Sequence, residues 1–237
     1  PATLSGVARL ETPAADLPDP DFADIDHCFD LLVTGVGGTG VVTVGQLITM
    51  AAHLEGKGAS VLDFMGFAQK FGPVLSYIRI ARQPSDINQV RIEQARADAL
   101  IGCDLVVSSS PKASITYRRN HTRVLLNTAE MPTGDFVRHR DASLRADDRV
   151  EAIREVVGDD RLSTLDANRL AQRLMGDTIF ANVLMLGAAW AAGSNVSQSS
   201  VPWPTSATGA KAAVLAAWRS GPTEGQTLRT HCISDQR

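Results

Sequence analysis

The residues with the clearest chemical potential stand in one row, Gly35-Val36-Gly37-Gly38-Thr39-Gly40. An apolar run, Leu31-Leu32-Val33, precedes them. A helical period follows, with Val44, Leu47, Ile48 and Ala51 on one face and Thr43, Gln46, Thr49 and His53 on the other. A glycine turn between a strand and a helix leaves unbonded N–H groups and the positive end of a helix dipole where a phosphate or carboxylate can sit. Gly35 is expected to permit the tight turn. Gly37 would let a ligand or another backbone approach, and Gly40 would let the helix pack closely on the sheet. Thr39 can add a hydroxyl donor. Gly35, Gly37, Gly38, Thr39 and Gly40 are therefore the candidate anion-binding residues. The alternative is that the glycines serve packing alone.

A dinucleotide site would want an acid at the end of the second strand, and Asp63, 23 residues after Gly40, has roughly that spacing. The chain then enters a glycine-containing loop and another strand instead of a second helix, which argues against a stand-alone NAD- or FAD-binding domain. No lysine follows the glycines as in a P-loop. The second candidate loop runs from Met65 to Pro73 and sets Gln69 and Lys70 between Phe67 and Phe71. Such loops lie at one end of the strands, where a ligand or a partner subunit docks. An ordinary surface loop with both phenylalanines in the core is the other reading. His27, His53, His121, His139 and His231 form no triad and no metal-ligand spacing. No catalytic residue and no metal site are expected on this chain.

Three cysteines, Cys28, Cys103 and Cys232, are too scattered for zinc or an iron–sulfur cluster, and they suit a reducing cytoplasm. Cys103 reads as a small core residue. A formal net charge of -3 gives no electrostatic footprint for nucleic acid. No apolar run is long enough to span a bilayer, and the first residues do not read as a secretory signal. The opening at Pro1 leads us to expect a segment of something longer.

The elements that must position the loop read as alternating strands and helices. With 237 residues and 44% hydrophobic content, one α/β domain with flanking extensions is expected. Residues 1–28 form an acidic linker broken by Pro13, Pro18 and Pro20. Strands are expected from Phe29, over Ser60–Phe64 and Val74–Ile80, and over Arg123–Asn127 and Arg161–Leu165. A weaker strand is expected at Ile87–Ile92. Ala95–Ile101 reads as a short helix closed by Gly102, and Asp104–Ser108 as a buried strand. Helices are expected through Val150, Ile153 and Val157 to a cap at Gly158, from Asp166 or Ala167 to Leu174, and through the apolar stretch Ile179–Trp190. The fold class is a three-layer Rossmann-like α/β domain over residues 29–190, its parallel or mixed sheet covered by helices on both faces. Residues 191–237 change character, with a serine-rich run, Pro202-Trp203-Pro204 and a polar end. Out-of-frame translation accounts for so irregular a tail, with a natural low-complexity linker as the alternative.

Several of these stretches together resemble a known family. They are Val33–Val42, the helix through Gly45, Ala51, Ala52, Leu54 and Glu55-Gly56, the strand and loop Asp63–Gly72, and Ser76-Tyr77-Ile78-Arg79-Ile80. Leu165-Asp166-Ala167, Leu170-Ala171, Gly176-Asp177 and Asn182–Trp190 continue the match. In this combination and order they resemble the gamma subunit or domain of 2-oxoacid:ferredoxin oxidoreductases. The later stretch looks like the long fused indolepyruvate enzymes of bacteria. The resemblance implies a complex that oxidatively decarboxylates 2-oxoacids, such as aryl pyruvates, on thiamine pyrophosphate. Electrons pass through [4Fe-4S] clusters to ferredoxin, and the acyl group passes to coenzyme A. Thiamine and the clusters belong to the thiamine-binding and ferredoxin-like domains of the full, oligomeric enzyme. This domain would contribute assembly, shielding of the active site and contacts to coenzyme A, and alone would be inactive. Where many members carry an arginine and a double glycine, this chain has Gln69-Lys70-Phe71-Gly72-Pro73, a departure that bears on substrate class. A purely structural interaction module remains the alternative of a different kind.

Overall fold

A computed structural model describes residue 25 and residues 28–65, 72–129 and 145–194. The acidic linker apart from residues 25 and 28, the loop residues Gln69 and Lys70, and the tail beyond residue 194 lie outside the described residues.

The first strand, β1 (Phe29–Val36), is buried along its whole length. Its alternation sends Leu31 and Val33 into one core and Leu32 into another, so both faces must be covered. The helix α1 (Val41–Leu54) covers the first face with Val44 and Ile48. It stops where Gly56 adopts a φ of 74°, a left-handed position that glycine takes without strain. The edge strand β2 (Gly58–Met65) returns and is followed by β3 (Pro73–Ala81), which inserts between β2 and β1 and runs antiparallel to both. On the other side of β1, the strands β4 (Ala99–Gly102), β5 (Arg123–Asn127) and β6 (Leu162–Leu165) pair in parallel. The six-stranded sheet thus has the order β2-β3-β1-β4-β5-β6 and is mixed, as one of the two expected forms.

Two short helices, α2 (Leu105–Ser108) and α3 (Pro111–Ser114), and the longer α4 (Ala146–Val157) cover the second face. Leu105, Tyr117, Ile153 and Val157 pack there against Leu32, Leu100 and Leu126. α5 (Ala167–Met175) and α6 (Ala181–Ser194) join α1 on the first face, contributing Ala171, Met185 and Leu186. α4 ends at Gly158, as its position after Val157 implies. Asp166 caps α5 by accepting from the Arg169 N–H at 2.9 Å. A buried ion pair, Arg79 Nε to Asp30 Oδ1 at 2.6 Å, ties β3 to β1 near the start of the domain.

Three local expectations are corrected. Ala95–Ile101 is not a helix: Ala95 has a φ of 53°, and Ala99–Gly102 is the strand β4. An apolar run buried on both sides has no period to distinguish helix from strand. Asp104–Ser108 is not a strand but the helix α2. Asp104 caps it through a 2.8 Å bond from the Val107 N–H, which outweighs the strand preference of Val106 and Val107. Ile87–Ile92 forms no strand. Only Ile92 is buried there, and the Gln89 carbonyl accepts from Arg79 Nη1 instead of from a ladder partner.

Candidate functional site

The glycine loop leaves the C-terminal end of β1, and its glycines divide the work differently from the sequence expectation. A Cβ on Gly35 would lie 2.5 Å from Val41 Cγ2 and 3.2 Å from the Cβ of Cys103. Gly35 is therefore the position that brings α1 close to the sheet. Gly38 and Gly40 carry the turn, with φ of 87° and 93° and open space where a Cβ would stand. Gly37 admits another backbone: its N–H donates to the Gly72 carbonyl at 2.8 Å, and a Cβ would meet that oxygen at 3.3 Å. The loop after β1 is thus tied to the start of β3.

Thr39 is held inside the loop. Its hydroxyl donates to the Val36 carbonyl at 2.7 Å. Asn182, buried in the first turn of α6, donates from Nδ2 to the Thr39 carbonyl at 2.7 Å and to the Thr39 hydroxyl oxygen at 3.1 Å. The first helical bond of α1 runs from the Val44 N–H to the Gly40 carbonyl at 3.1 Å. Amides ahead of such a bond have no intrahelical acceptor, and here no acidic side chain stands in the first turn. The arrangement fits a phosphate or carboxylate above Gly38 and Gly40.

Asp63 does not serve this loop. The antiparallel strand β3 separates β2 from β1, and Asp63 instead accepts from Ser76 Oγ at 2.5 Å, directly across the ladder. A dinucleotide site needs its acidic residue on the strand adjacent to the glycine strand, which this topology prevents.

A second polar group lies at the same end of β1, β4 and β5. Ser108 Oγ donates to the Asp104 carbonyl at 2.5 Å and lies 2.8 Å from the Thr34 hydroxyl, while Tyr117 donates to the Ser108 carbonyl at 2.6 Å. Asn127 donates to the Cys103 carbonyl at 3.1 Å and to Asn168 at 2.9 Å, and its Oδ1 accepts from the Ala167 N–H. These bonds fix the strand ends. Burial lifts the Asp104 carboxyl above the ordinary range, against the pull of the amides it accepts from and of Arg149. Its Oδ2 is enclosed and has no hydrogen-bond partner among the described residues. Asn182 and Gly72 had no spacing signal, because Thr39 and Gly37 are distant in sequence, and the same holds for Thr34 with Ser108 and for Asn127 with its partners.

The described thiols do not fit cluster ligation. Cys28 precedes β1, at the opposite end of the sheet from Cys103, which follows β4. Burial, with the Asp104 charge adding, pushes Cys103 up to about 12. Burial and then the Asp30 charge raise Cys28 to about 11. Among the described residues no three His, Cys, Asp or Glu side chains gather to hold a metal, and no helix is long and apolar enough to cross a membrane. His53 is exposed on α1, and His121 pairs with Asp98 at 3.0 Å at the far end of the sheet.

Comparison with known proteins gives a consistent result. Indolepyruvate oxidoreductase subunit IorB of Pyrococcus horikoshii is 26% identical over 163 residues, covering 68% of this chain and 75% of the relative. The protein of the same name from Thermococcus kodakarensis is 24% identical over 163 residues, with the same coverage. Pyruvate oxidoreductase subunit PORC from Thermotoga maritima superposes with a TM-score of 0.49 at 18% identity, covering 83% of this chain and 98% of that one. The family model described as pyruvate ferredoxin/flavodoxin oxidoreductase matches residues 30–216, a span that takes in the glycine loop, β1 from Asp30 onward, and every other strand and helix above. The chain belongs to the pyruvate ferredoxin/flavodoxin oxidoreductase family.

Proposed function

We propose that this chain is the gamma-type domain of a thiamine-dependent 2-oxoacid:ferredoxin oxidoreductase acting on aryl pyruvates such as indolepyruvate. The relatives named as indolepyruvate oxidoreductase subunits support the substrate class. In the overall reaction the 2-oxoacid loses carbon dioxide, its acyl group passes to the thiol of coenzyme A, and the electron pair leaves to ferredoxin. Thiamine pyrophosphate and the [4Fe-4S] clusters lie on partner domains. This chain's own part is to assemble with those domains, to shield their active site from water, and to hold a phosphate of coenzyme A at the glycine loop.

The observation that carries the binding role is the anchoring of the loop from both sides. Gly37 is bonded to Gly72 and Thr39 to Asn182, while in the first turn of α1 Thr43 is exposed and no acid is present. A loop fixed in advance loses little further freedom when an anion arrives. Gln69 and Lys70, in the segment that ends at Gly72, would flank the ligand or a partner domain. The close packing of Gly35 and Gly37 favours a second reading, in which the loop is structural and takes no ligand.

The deciding substitution is Thr43→Glu. Thr43 is exposed in the first turn of α1, where an acid suits the helix dipole but competes with a bound anion. Calorimetry with coenzyme A should show binding to the native chain and loss of about tenfold or more in the variant, with NAD weaker than coenzyme A throughout. Equal affinity in both proteins would leave the structural reading standing, and tight NAD binding would refute the assignment. The purified chain should oxidise no 2-oxoacid until its partner domains are added.

A further inference from the structure

At the glycine-loop end of the sheet an aromatic ring and a cation stand together, outside the loop itself. β2 and β1 are both antiparallel to β3, so they run in the same direction and end on the same side of the molecule. The ladders set Met65 level with Val74 and Gly35, and Phe64 level with Leu75 and Thr34. Two strand spacings, about 10 Å, therefore separate Phe64 from the strand that feeds the loop. Exposed Pro73, opposite Val36, opens the strand between them.

Phe64 is 47% exposed, and Lys112 Nζ stands 4.7 Å from the centroid of its ring. Alternation puts Phe64 on the side of Leu62, the face that α2 and α3 cover. Ala113 is buried there in one core with Leu75, the ladder partner of Phe64, which fixes α3 where its neighbour Lys112 reaches the ring. Lys112 is exposed, and among the described residues no carboxylate pairs with it. An ammonium held by a ring keeps its donors for an anion, which one held by a carboxylate does not.

A ring and an ammonium in contact suit a planar base next to a phosphate: the base stacks on the aromatic surface and the phosphate accepts from the ammonium. The ligand that fits both this pair and the glycine loop carries a phosphate on the sugar that bears its base, with its other phosphates a nucleotide's length away. Coenzyme A has that pattern, since its adenosine carries a 3′-phosphate beyond the diphosphate, and NAD lacks the sugar phosphate. We infer that Phe64 and Lys112 are specificity residues for coenzyme A, Phe64 stacking on the adenine and Lys112 holding the 3′-phosphate. The inference rests on the reading of the glycine loop as the site of a coenzyme A phosphate.

The test titrates the whole chain with coenzyme A and with dephospho-coenzyme A, which lacks only the 3′-phosphate, by calorimetry at constant ionic strength. The native chain should bind coenzyme A about tenfold more tightly than the dephospho form, and Lys112→Gln should erase that preference. Phe64→Leu keeps an apolar side chain but removes the ring, and should weaken both ligands about fivefold or more. Thr43→Glu should weaken both and preserve their ratio. A preference that survives Lys112→Gln, or native affinity in Phe64→Leu, would overturn the inference while leaving the glycine-loop reading intact. A preference lost in Lys112→Gln with no effect of Thr43→Glu would refute the glycine-loop reading and support Phe64 and Lys112 as a site in their own right. A native chain that binds neither ligand would refute both.

Discussion

Replacing Gly35 with alanine tests the central claim about the loop, that this glycine is set by packing and not by backbone conformation. Gly35 lies within β1 and is absent from the residues with positive φ, so alanine meets no conformational strain there. What it meets is Val41 Cγ2 at 2.5 Å and the Cβ of Cys103 at 3.2 Å. Val41 and Cys103 are 1% and 3% exposed and sit in one closed core, so neither can swing into solvent. Overpacking of this kind costs about 1–3 kcal/mol. Val41→Ala alone removes two buried methyl groups and should cost about 1.5–2.5 kcal/mol by transfer and cavity terms. In the double variant the new methyl group occupies part of the space that Val41 vacates. The combined loss should therefore fall at least about 1 kcal/mol short of the sum, a coupling that only residues in contact show. Urea unfolding of the four proteins measures this directly. Additivity to within about 0.5 kcal/mol would refute the packing account of Gly35.

Other outcomes follow from the same geometry. Asp104 titrates higher in the folded chain than in the unfolded one, so the folded state holds the proton more tightly. Its contribution is fully present below about pH 4 and is lost as pH rises through the folded value. Asp104→Asn should flatten that part of the stability curve, measured by urea unfolding at several pH values. Asp30→Ala strands the buried Arg79 guanidinium and should cost about 3–5 kcal/mol by the same method, whereas an exposed ion pair such as Arg145–Asp148 should cost at most about 1 kcal/mol to remove. Asn182→Ala leaves the Thr39 carbonyl without the side-chain donor it has now. It should cost about 1–3 kcal/mol and speed amide hydrogen exchange at residues 37–40, while exchange in β4 and β5 stays unchanged.

How much of this was legible beforehand depended on whether the cause was local. Leu31-Leu32-Val33 followed by glycines, the period from Val41, and the caps at Gly158 and Asp166 each carry their signal within a few residues, and those elements stand where expected. The mixed sheet was also within reach, because Gly72-Pro73 and the alternation from Val74 replace the second helix of a mononucleotide unit. Ala99–Gly102 and Leu105–Ser108 failed for one shared reason. Both are short apolar runs, and only the sheet could show which of them fills the position between β1 and β5. Once β4 takes that position, the oxygen of Asp104 turns the next residues into a helix.

The candidate site shows the same division. Five loop residues could be listed from spacing, but the partners of three of them could not, since each lies far along the chain: Gly72 for Gly37, Cys103 for Gly35, Asn182 for Thr39. The topology also tells against the dinucleotide reading, and the anion reading stands as our proposal. Inserting β3 beside β1 moves Asp63 out to the edge strand, yet the same strand brings Gly72 against Gly37 and steadies the turn. Losing the ribose-binding acid and gaining a fixed loop are thus consequences of one topological change. A site built in this way can hold a phosphate through amides and a helix dipole without selecting a nucleotide sugar, which is the specificity that Thr43→Glu and the comparison of coenzyme A with NAD are designed to expose.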